Sequence, residues 1–315
     1  METMTQLPPA SSLKIGTRGS PLALAQALET RTRLMNFWNL PEEAFEIVVI
    51  QTSGDKIQDR PLRLVGGKGL FVREIEDKLL DGSIDIAVHS MKDMPTVQPN
   101  GLTLETYLPR EDVRDAFVSD NSTSIMDLPE GARVGTSSLR RRAQLLHVRS
   151  DLEVVEFRGN VQTRLKKLAD GVASCTFLAM AGLNRLNMAN IATMAIETDS
   201  MLPAVAQGAV GIECRVGDKV ALEFLEPLHD LETGQRLDAE RAFLAELDGS
   251  CQTPIAGLAV ISGSELFLQG EVLRPDGSEK LAGERHGSIA DAAEMGHDLA
   301  RDLRSQAGPK FFAWL

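Results

Sequence analysis

Asp93 is the residue on which the chemistry of this sequence centres. It lies in Asp85-Ile86-Ala87-Val88-His89-Ser90-Met91-Lys92-Asp93-Met94-Pro95, a short apolar run that alternates with polar residues and breaks into a polar loop. That pattern reads as a strand whose carboxyl end releases Lys92 and Asp93 into a crevice, where open α/β sheets place their chemistry. A neighbouring acid and base are more often a plain surface ion pair. Their company argues otherwise here, because Arg18, Arg140, Arg141, Arg158, Arg164 and Arg185 all fall at expected strand ends or first helical turns. Cations there oppose the helix macrodipole at about 0.3–1 kcal/mol each, a placement that the negative charge of a ligand offsets. Cys251 is a further candidate. It stands in a Gly-Ser-Cys-Gln-Thr-Pro loop rather than an apolar run, so its thiolate is available for covalent attachment.

The elements that must position these groups follow in order. Leu13–Arg18 reads as a first strand, Ser20 as an N-cap, Pro21 as the first helical position, and 22–35 as a helix whose N-terminus is an anion site beside Arg18. Glu46–Ile50 is a second strand, leading into the polar stretch 51–65, read as a mobile loop. Gly66-Gly67-Lys68-Gly69 then precedes a helix over 70–80; it lacks the spacing and the Ser/Thr of a P-loop, so a nucleotide site is not expected. A second unit echoes the first: Arg133 to Ser138 parallels Lys14 to Arg18, and a helix from Leu139 opens with Arg140, Arg141 and Arg142. Strand 152–157 leads to a helix after Asn160, and Cys175–Ala179 is a buried strand. The small-residue stretch 202–213 is expected to return the chain to the first domain as a strand. From 230 the pattern changes to a helix over 232–247, strands around 255–262, 266–273 and 280–285, and a last helix over 289–305. The organisation expected is α/β with three domains: 13–108 with 203–226, then 114–202, then an α+β domain at 230–315 carrying Cys251.

Composition bounds the function. With 315 residues, 43% hydrophobic and 25% charged, the sequence reads as an ordinary globular chain, and no apolar run is long enough to span a bilayer. No secretory signal is read in 1–12, and three separated cysteines argue against a disulfide framework or a zinc site, so a reducing cytoplasm is expected. The net charge of −12 and only 4% aromatics argue against nucleic acid as a partner. Within that acidic chain, 131–185 holds ten basic against four acidic residues, a local +6, and the basic residues overall divide into 23 Arg and 10 Lys. Arginine forks pair with carboxylate or phosphate in bidentate fashion, which favours recognition of a small anion. A non-catalytic anion-binding protein is the alternative, but it has no need of Cys251.

Six motifs, HSMKDMP at 89–95, GGKGLFVREIE at 66–76, VGTSSLRRRAQL at 134–145, RGNVQTRLKKL at 158–168, LPAVAQGAVGIECR at 202–215 and GSCQTPIA at 249–256, resemble those of the porphobilinogen deaminase (hydroxymethylbilane synthase) family, from about Leu13 to the C-terminus. The resemblance implies an enzyme of tetrapyrrole (porphyrin, heme) biosynthesis, a transferase that condenses four porphobilinogens head to tail, releasing ammonia each time, and hydrolyses the product to linear hydroxymethylbilane. It implies a dipyrromethane cofactor joined by a thioether to Cys251, Asp93 as catalytic acid, and no metal. It implies further that Arg18, Ser20, Lys68, Lys92, Ser137, Ser138, Arg140, Arg141, Arg158, Arg164 and Arg185 bind cofactor and substrate. The implied fold has two type II periplasmic-binding-protein-like domains around a cleft plus the third domain, in a cytoplasmic monomer. Three departures concern packing: Ala206 where the family commonly has glycine, Gly19 where it often has a polar residue, and Ser174-Cys175-Thr176-Phe177 in place of an acidic-then-aliphatic strand.

Overall fold

The fold is that of a computed structural model, which describes residues 12–56, 72–250, 253–308 and 311–312, the side chains of Asp55 and Lys56 excepted. The chain divides into two compact units, with described parts 12–56, 72–110 and 209–234 in the first and 111–208 with the residues from 235 onward in the second.

The first unit is a five-stranded mixed sheet. Strand β1 (Leu13–Arg18) lies parallel to β2 (Phe45–Ile50) on one side and to β3 (Ile86–Ser90) on the other; β4 (Leu102–Tyr107) is an edge, and β10 (Val210–Arg215) runs antiparallel between β3 and β4. Helix α1 (Pro21–Trp38) joins β1 to β2, as expected of a parallel crossover. Its start is fixed by Ser20, whose hydroxyl accepts from the Ala23 N–H, and by Pro21, which has no N–H to leave unpaired; Asn39 ends it in the left-handed conformation. The polar stretch after β2 forms a short helix α2 (Ser53–Lys56), and α3 (Arg73–Leu80) precedes β3. The rest of the expected mobile loop, together with Lys68 and its glycines, lies outside the described residues. One face of the sheet buries Ile15, Ile86, Val88 and Ile212 against α1 and α7 (Lys219–Leu225), and the other buries Ala87 and Leu102 with Ile75 and Leu79 of α3.

The second unit repeats the design. Its first sheet has β6 (Arg133–Gly135) parallel to β7 (Glu153–Val155) and β8 (Cys175–Ala179), with β5 (Asp115–Val118) antiparallel between β8 and the edge strand β9 (Met194–Ile196). Position for position the order is that of the first sheet, so the fold has the paired α/β architecture anticipated from the sequence. Helices α4 (Leu139–Val148) and α5 (Val161–Ala169) start at Ser138 and Asn160, whose side chains accept from Arg141 and Thr163 N–H groups, and α6 (Met180–Arg185) follows β8. Gly16 of β1 and Gly135 of β6 occupy matching positions. A Cβ at either would collide with Ile84 or Phe157, so both sheets use a glycine to admit a large side chain. The second unit also holds an antiparallel meander, β11 (Ile255–Ser262), β12 (Glu265–Leu273) and β13 (Lys280–Ser288), with α9 (Ala292–Gln306) and, from residue 235 onward, α8 (Leu231–Glu246) against it.

The segment 202–213 differs from expectation. Only its end, from Val210, is strand; Ala206 and Gly208 have φ of 60° and 88°, which breaks any extended ladder before that point. Strands β4, β5 and β9 also went unrecognised in the sequence, the last two because four and three residues are too few to show a period.

Candidate functional site

In the first unit the carboxyl ends of β1 and β3 converge on a small pocket lined by Arg18, Gln26, His89, Ser90 and Asp93, with Ala23, Val72, Val88 and Met94 as its apolar walls. Its volume of about 20 Å³ is room for about one water. Asp93 ends a single 3-10 turn, Met91–Asp93, that continues β3. The turn is anchored from below: the Met91 N–H donates to the Ala209 carbonyl at 3.0 Å, and Met91 is buried against Gly211 of β10, where a Cβ would strike its sulfur. Asp93 and Lys92 remain half-buried on this anchored base. Gln26, on the buried face of α1, shares hydrogen bonds of 2.9 and 3.1 Å with Ser90.

A buried ionisable group backs this pocket. Nε2 of His89 lies 3.1 Å from Oε2 of Glu213 on β10, and both residues are almost wholly inaccessible. Oε1 of Glu213 accepts no hydrogen bond among the described residues. Glu76 of α3, also buried, is pushed up to about 7, chiefly by burial and next by the Glu213 charge.

In the second unit the expected anion-binding residues group around α4 and α5. Ser138 caps α4, and Ser137 accepts from the Phe157 N–H at 2.9 Å. Neither α4 nor α5 has an acidic residue in its first turn, nor has α1, so three helix N-termini that favour negative charge are given none by their own sequences. Arg140 and Arg141 sit in the first turn of α4 but point inward. Arg141 donates through Nη2 and Nε to Asp115 Oδ1 (2.7 and 3.2 Å) and through Nη1 to the Phe177 carbonyl (2.8 Å). Arg140 Nη1 lies 2.8 Å from Asp115 Oδ2 and donates to Gln144 and to the Leu202 carbonyl, while its Nε is buried without a partner among the described residues. Burial alone would raise the Asp115 carboxyl; the two guanidinium groups more than offset that and hold it far below the usual carboxylate range. Arg164 donates from Nε to the Gly159 carbonyl (2.9 Å) and Arg185 from Nη1 to the Gly208 carbonyl (3.1 Å), and Arg158 stands half-buried at the start of the loop before α5.

The cysteines separate by chemistry. Cys175 and Cys214 are buried in strands, and desolvation pushes their thiols up to about 12 and 11, which leaves neither as a nucleophile at neutral pH. Cys251 lies outside the described residues, as Lys68 does; the residues flanking it, Ser250 and Thr253, are tied together by backbone and side-chain hydrogen bonds of 2.6 to 3.0 Å.

Of the residues singled out in the sequence, Arg18 and Asp93 meet in one pocket, with Ser20 capping the helix whose Ala23 and Gln26 form its wall. Ser137, Ser138, Arg140, Arg141, Arg158, Arg164 and Arg185 belong to the other unit. Sequence reasoning missed Gln26, His89 and Glu213, and also Asp115. One had a visible signal: Asp115 opens an otherwise wholly apolar strand. Glu213 had none, since its partner is 124 residues away.

The family model for the porphobilinogen deaminase dipyromethane cofactor binding domain matches residues 13–223, and that for the porphobilinogen deaminase C-terminal domain matches 235–305. A porphobilinogen deaminase of Paracoccus denitrificans is 63% identical over 99% of this chain and 100% of the relative; one of Nitrobacter hamburgensis is 54% identical over 95% and 94%. Among solved structures, a periplasmic substrate-binding protein of an ABC transporter from Coxiella burnetii aligns at TM-score 0.42 and 14% identity over 70% of this chain and 93% of its own. The methionine-binding protein MetQ aligns at TM-score 0.43 and 14% identity over 75% and 94%. No helix among the described residues is long and apolar enough to cross a membrane.

Proposed function

The chain belongs to the porphobilinogen deaminase family, and from that premise we propose that it condenses four porphobilinogens into hydroxymethylbilane with Asp93 as its catalytic acid and Cys251 as the attachment point of its cofactor. The observation that carries the assignment of Asp93 is its place beside Arg18 in a pocket at the strand ends, on a turn held by β10.

The residues present fit a cofactor with carboxylate arms. Helix N-termini without acids and with Ser20, Ser138 and Asn160 at their caps, and arginines nearby, form a donor set for carboxylates. Arg18, Ser20, Lys92, Ser137, Ser138, Arg158, Arg164 and Arg185, with Lys68, hold the acetate and propionate groups of cofactor and substrate. Arg140 and Arg141 act with them from the start of α4, their forks fixed in place by Asp115. When bound, the dipyrromethane supplies the free pyrrole carbon on which the chain grows. Departure of ammonia leaves a positive charge on the substrate pyrrole, and the Asp93 carboxylate, pre-set and half-desolvated, stabilises it without reorganising. The same oxygen accepts or returns a pyrrole proton. The enzyme works as a cytoplasmic monomer.

The test begins with intact mass. The purified chain carries a two-pyrrole adduct that Cys251→Ser lacks, and Asp93→Asn keeps the adduct but loses porphobilinogen turnover by at least about a hundredfold. An adduct surviving in Cys251→Ser, or a normal single-turnover rate in Asp93→Asn, overturns the corresponding assignment. A chain with neither adduct nor turnover would be an anion-binding protein instead.

A further inference from the structure

We infer that Gln144 and Glu271 are positioning residues: together they turn the Arg140 guanidinium so that its Nε side stays open for a ligand carboxylate. This role rests on the reaction proposed above and adds to it two residues outside the expected binding set.

Arg140 does not do what a buried arginine beside a carboxylate ordinarily does. The favoured arrangement is a fork-to-fork pair, two parallel N–H groups on the two oxygens. With Asp115 only Nη1 comes close, at 2.8 Å from Oδ2, and that oxygen accepts no hydrogen bond among the described residues. The two hydrogens of Nη1 go elsewhere, to Oε1 of Gln144 at 3.0 Å and to the Leu202 carbonyl at 2.9 Å. Nε, equally buried, has no acceptor among the described residues. A buried N–H left in that state is costly and calls for an explanation. A carboxylate arm of cofactor or substrate supplies one, as the acceptor that the chain itself omits.

The amide of Gln144, buried one helical turn beyond Arg140, sets this orientation. An amide can turn end for end, exchanging its acceptor for its donors. Here it is locked. Nε2 donates to the Leu202 carbonyl at 2.9 Å and to Oε1 of Glu271 at 2.5 Å, a carbonyl and a carboxylate that accept and do not donate. Oε1 is thereby forced toward Arg140. Glu271 is held in turn from β13, where Lys280 Nζ lies 3.6 Å from its other oxygen. Its register partner on β11 is Ala256, close along the chain to Cys251. The strand that follows the proposed attachment loop and the residue that locks Gln144 thus belong to one sheet.

α4 has another hold on that sheet. His147 Nδ1 is 2.9 Å from the carbonyl of Gly277, in the turn between β12 and β13, where a Cβ would strike the His147 backbone nitrogen. The helix is therefore seated without the Gln144 contact. Gln144 and Glu271 also line a cleft of about 400 Å³, so the polar atoms that a substitution exposes there are within reach of water.

The test uses the purified, cofactor-loaded chain, with initial rates over a range of porphobilinogen concentrations and urea unfolding as readouts. Gln144→Met removes the amide and releases Arg140 to close on Asp115. The expected result is a KM raised about tenfold at unchanged kcat, the mark of lost binding in ground and transition states alike, with the urea midpoint unmoved. Glu271→Gln keeps the volume but lets the Gln144 amide turn, and a smaller rise in KM, about threefold, is expected. An unchanged KM with a lowered urea midpoint in both variants would make the contact a structural pin and overturn the assignment, as would failure of both to fold. A wild-type chain that neither carries the adduct nor consumes porphobilinogen would overturn the proposed function itself, before any variant is made.

Discussion

The two α/β sheets share a strand order and differ in how each keeps an acid in its interior. In the first, Glu213 on the inserted strand β10 is answered by an imidazole and by a second carboxyl that binds a proton at neutral pH. In the second, Asp115 on the inserted strand β5 is answered by two guanidinium groups and the Gln207 amide. The inserted strand, at different register positions, thus carries an acid with titratable partners in one unit and one with permanently charged partners in the other. Arginine does not lose its proton in the working range, so the second arrangement is a fixed electrostatic frame. The first arrangement includes a carboxyl, Glu76, that burial and the Glu213 charge push up to about 7, so its charge is not fixed across the neutral range.

The contrast is tested most severely at Asp115. Asp115→Asn removes the carboxylate that both buried guanidinium groups share, and the expected loss is about 3–5 kcal/mol in urea unfolding, with adduct content falling as the α4 arginines lose their anchor. A loss below about 1 kcal/mol would show that the frame matters little to the fold. The next effect is on pH dependence. Glu76 has a folded value raised from 4.5 to about 7, so its contribution to stability is complete below pH 4.5 and disappears as pH rises through about 7. The limiting slope is about 1.4 kcal/mol per unit, and Glu76→Gln flattens it. An unchanged slope would place the titration elsewhere. The smallest effect is at Ala206, whose backbone N–H donates to buried Glu240 at 2.7 Å from a left-handed conformation. Ala206→Gly relieves roughly 1–2 kcal/mol of backbone strain and returns about half of it as unfolded-state entropy. A net gain of about 0.5–1 kcal/mol in thermal unfolding is expected, and a loss would mean that the alanine methyl packs better than its φ suggests.

Much of this was legible in the sequence, and the limit has a physical cause. Helix starts were plain because caps are local: Ser20-Pro21 and Ser138 each decide a boundary within three residues. The long hairpin strands of the C-terminal sheet alternate clearly enough to be seen. The three-residue strands β7 and β9 were overstated or missed because pairing, not propensity, makes them strands. The reactive loop at Asp93 was visible as residue types, but the pocket's second layer was not. His89 meets Glu213, and Arg141 meets Asp115, across sequence separations that no local pattern encodes. Nor does an arginine's position at a helix start reveal whether its fork points out to a ligand or in to an acid.

The placement of β10 carries a last consequence, for biosynthesis. The sheet that supports Asp93 has its fourth position filled by residues 210–215, roughly a hundred residues after β4 has emerged. At ribosomal rates that is about 5–20 s during which β3 and β4 face each other across a missing rung. The second sheet has no such wait for its inserted strand, since β5 is made first. Nascent chains halted before residue 210 should therefore recruit chaperones through this first sheet, and release of that hold should coincide with emergence of the Val210–Arg215 segment.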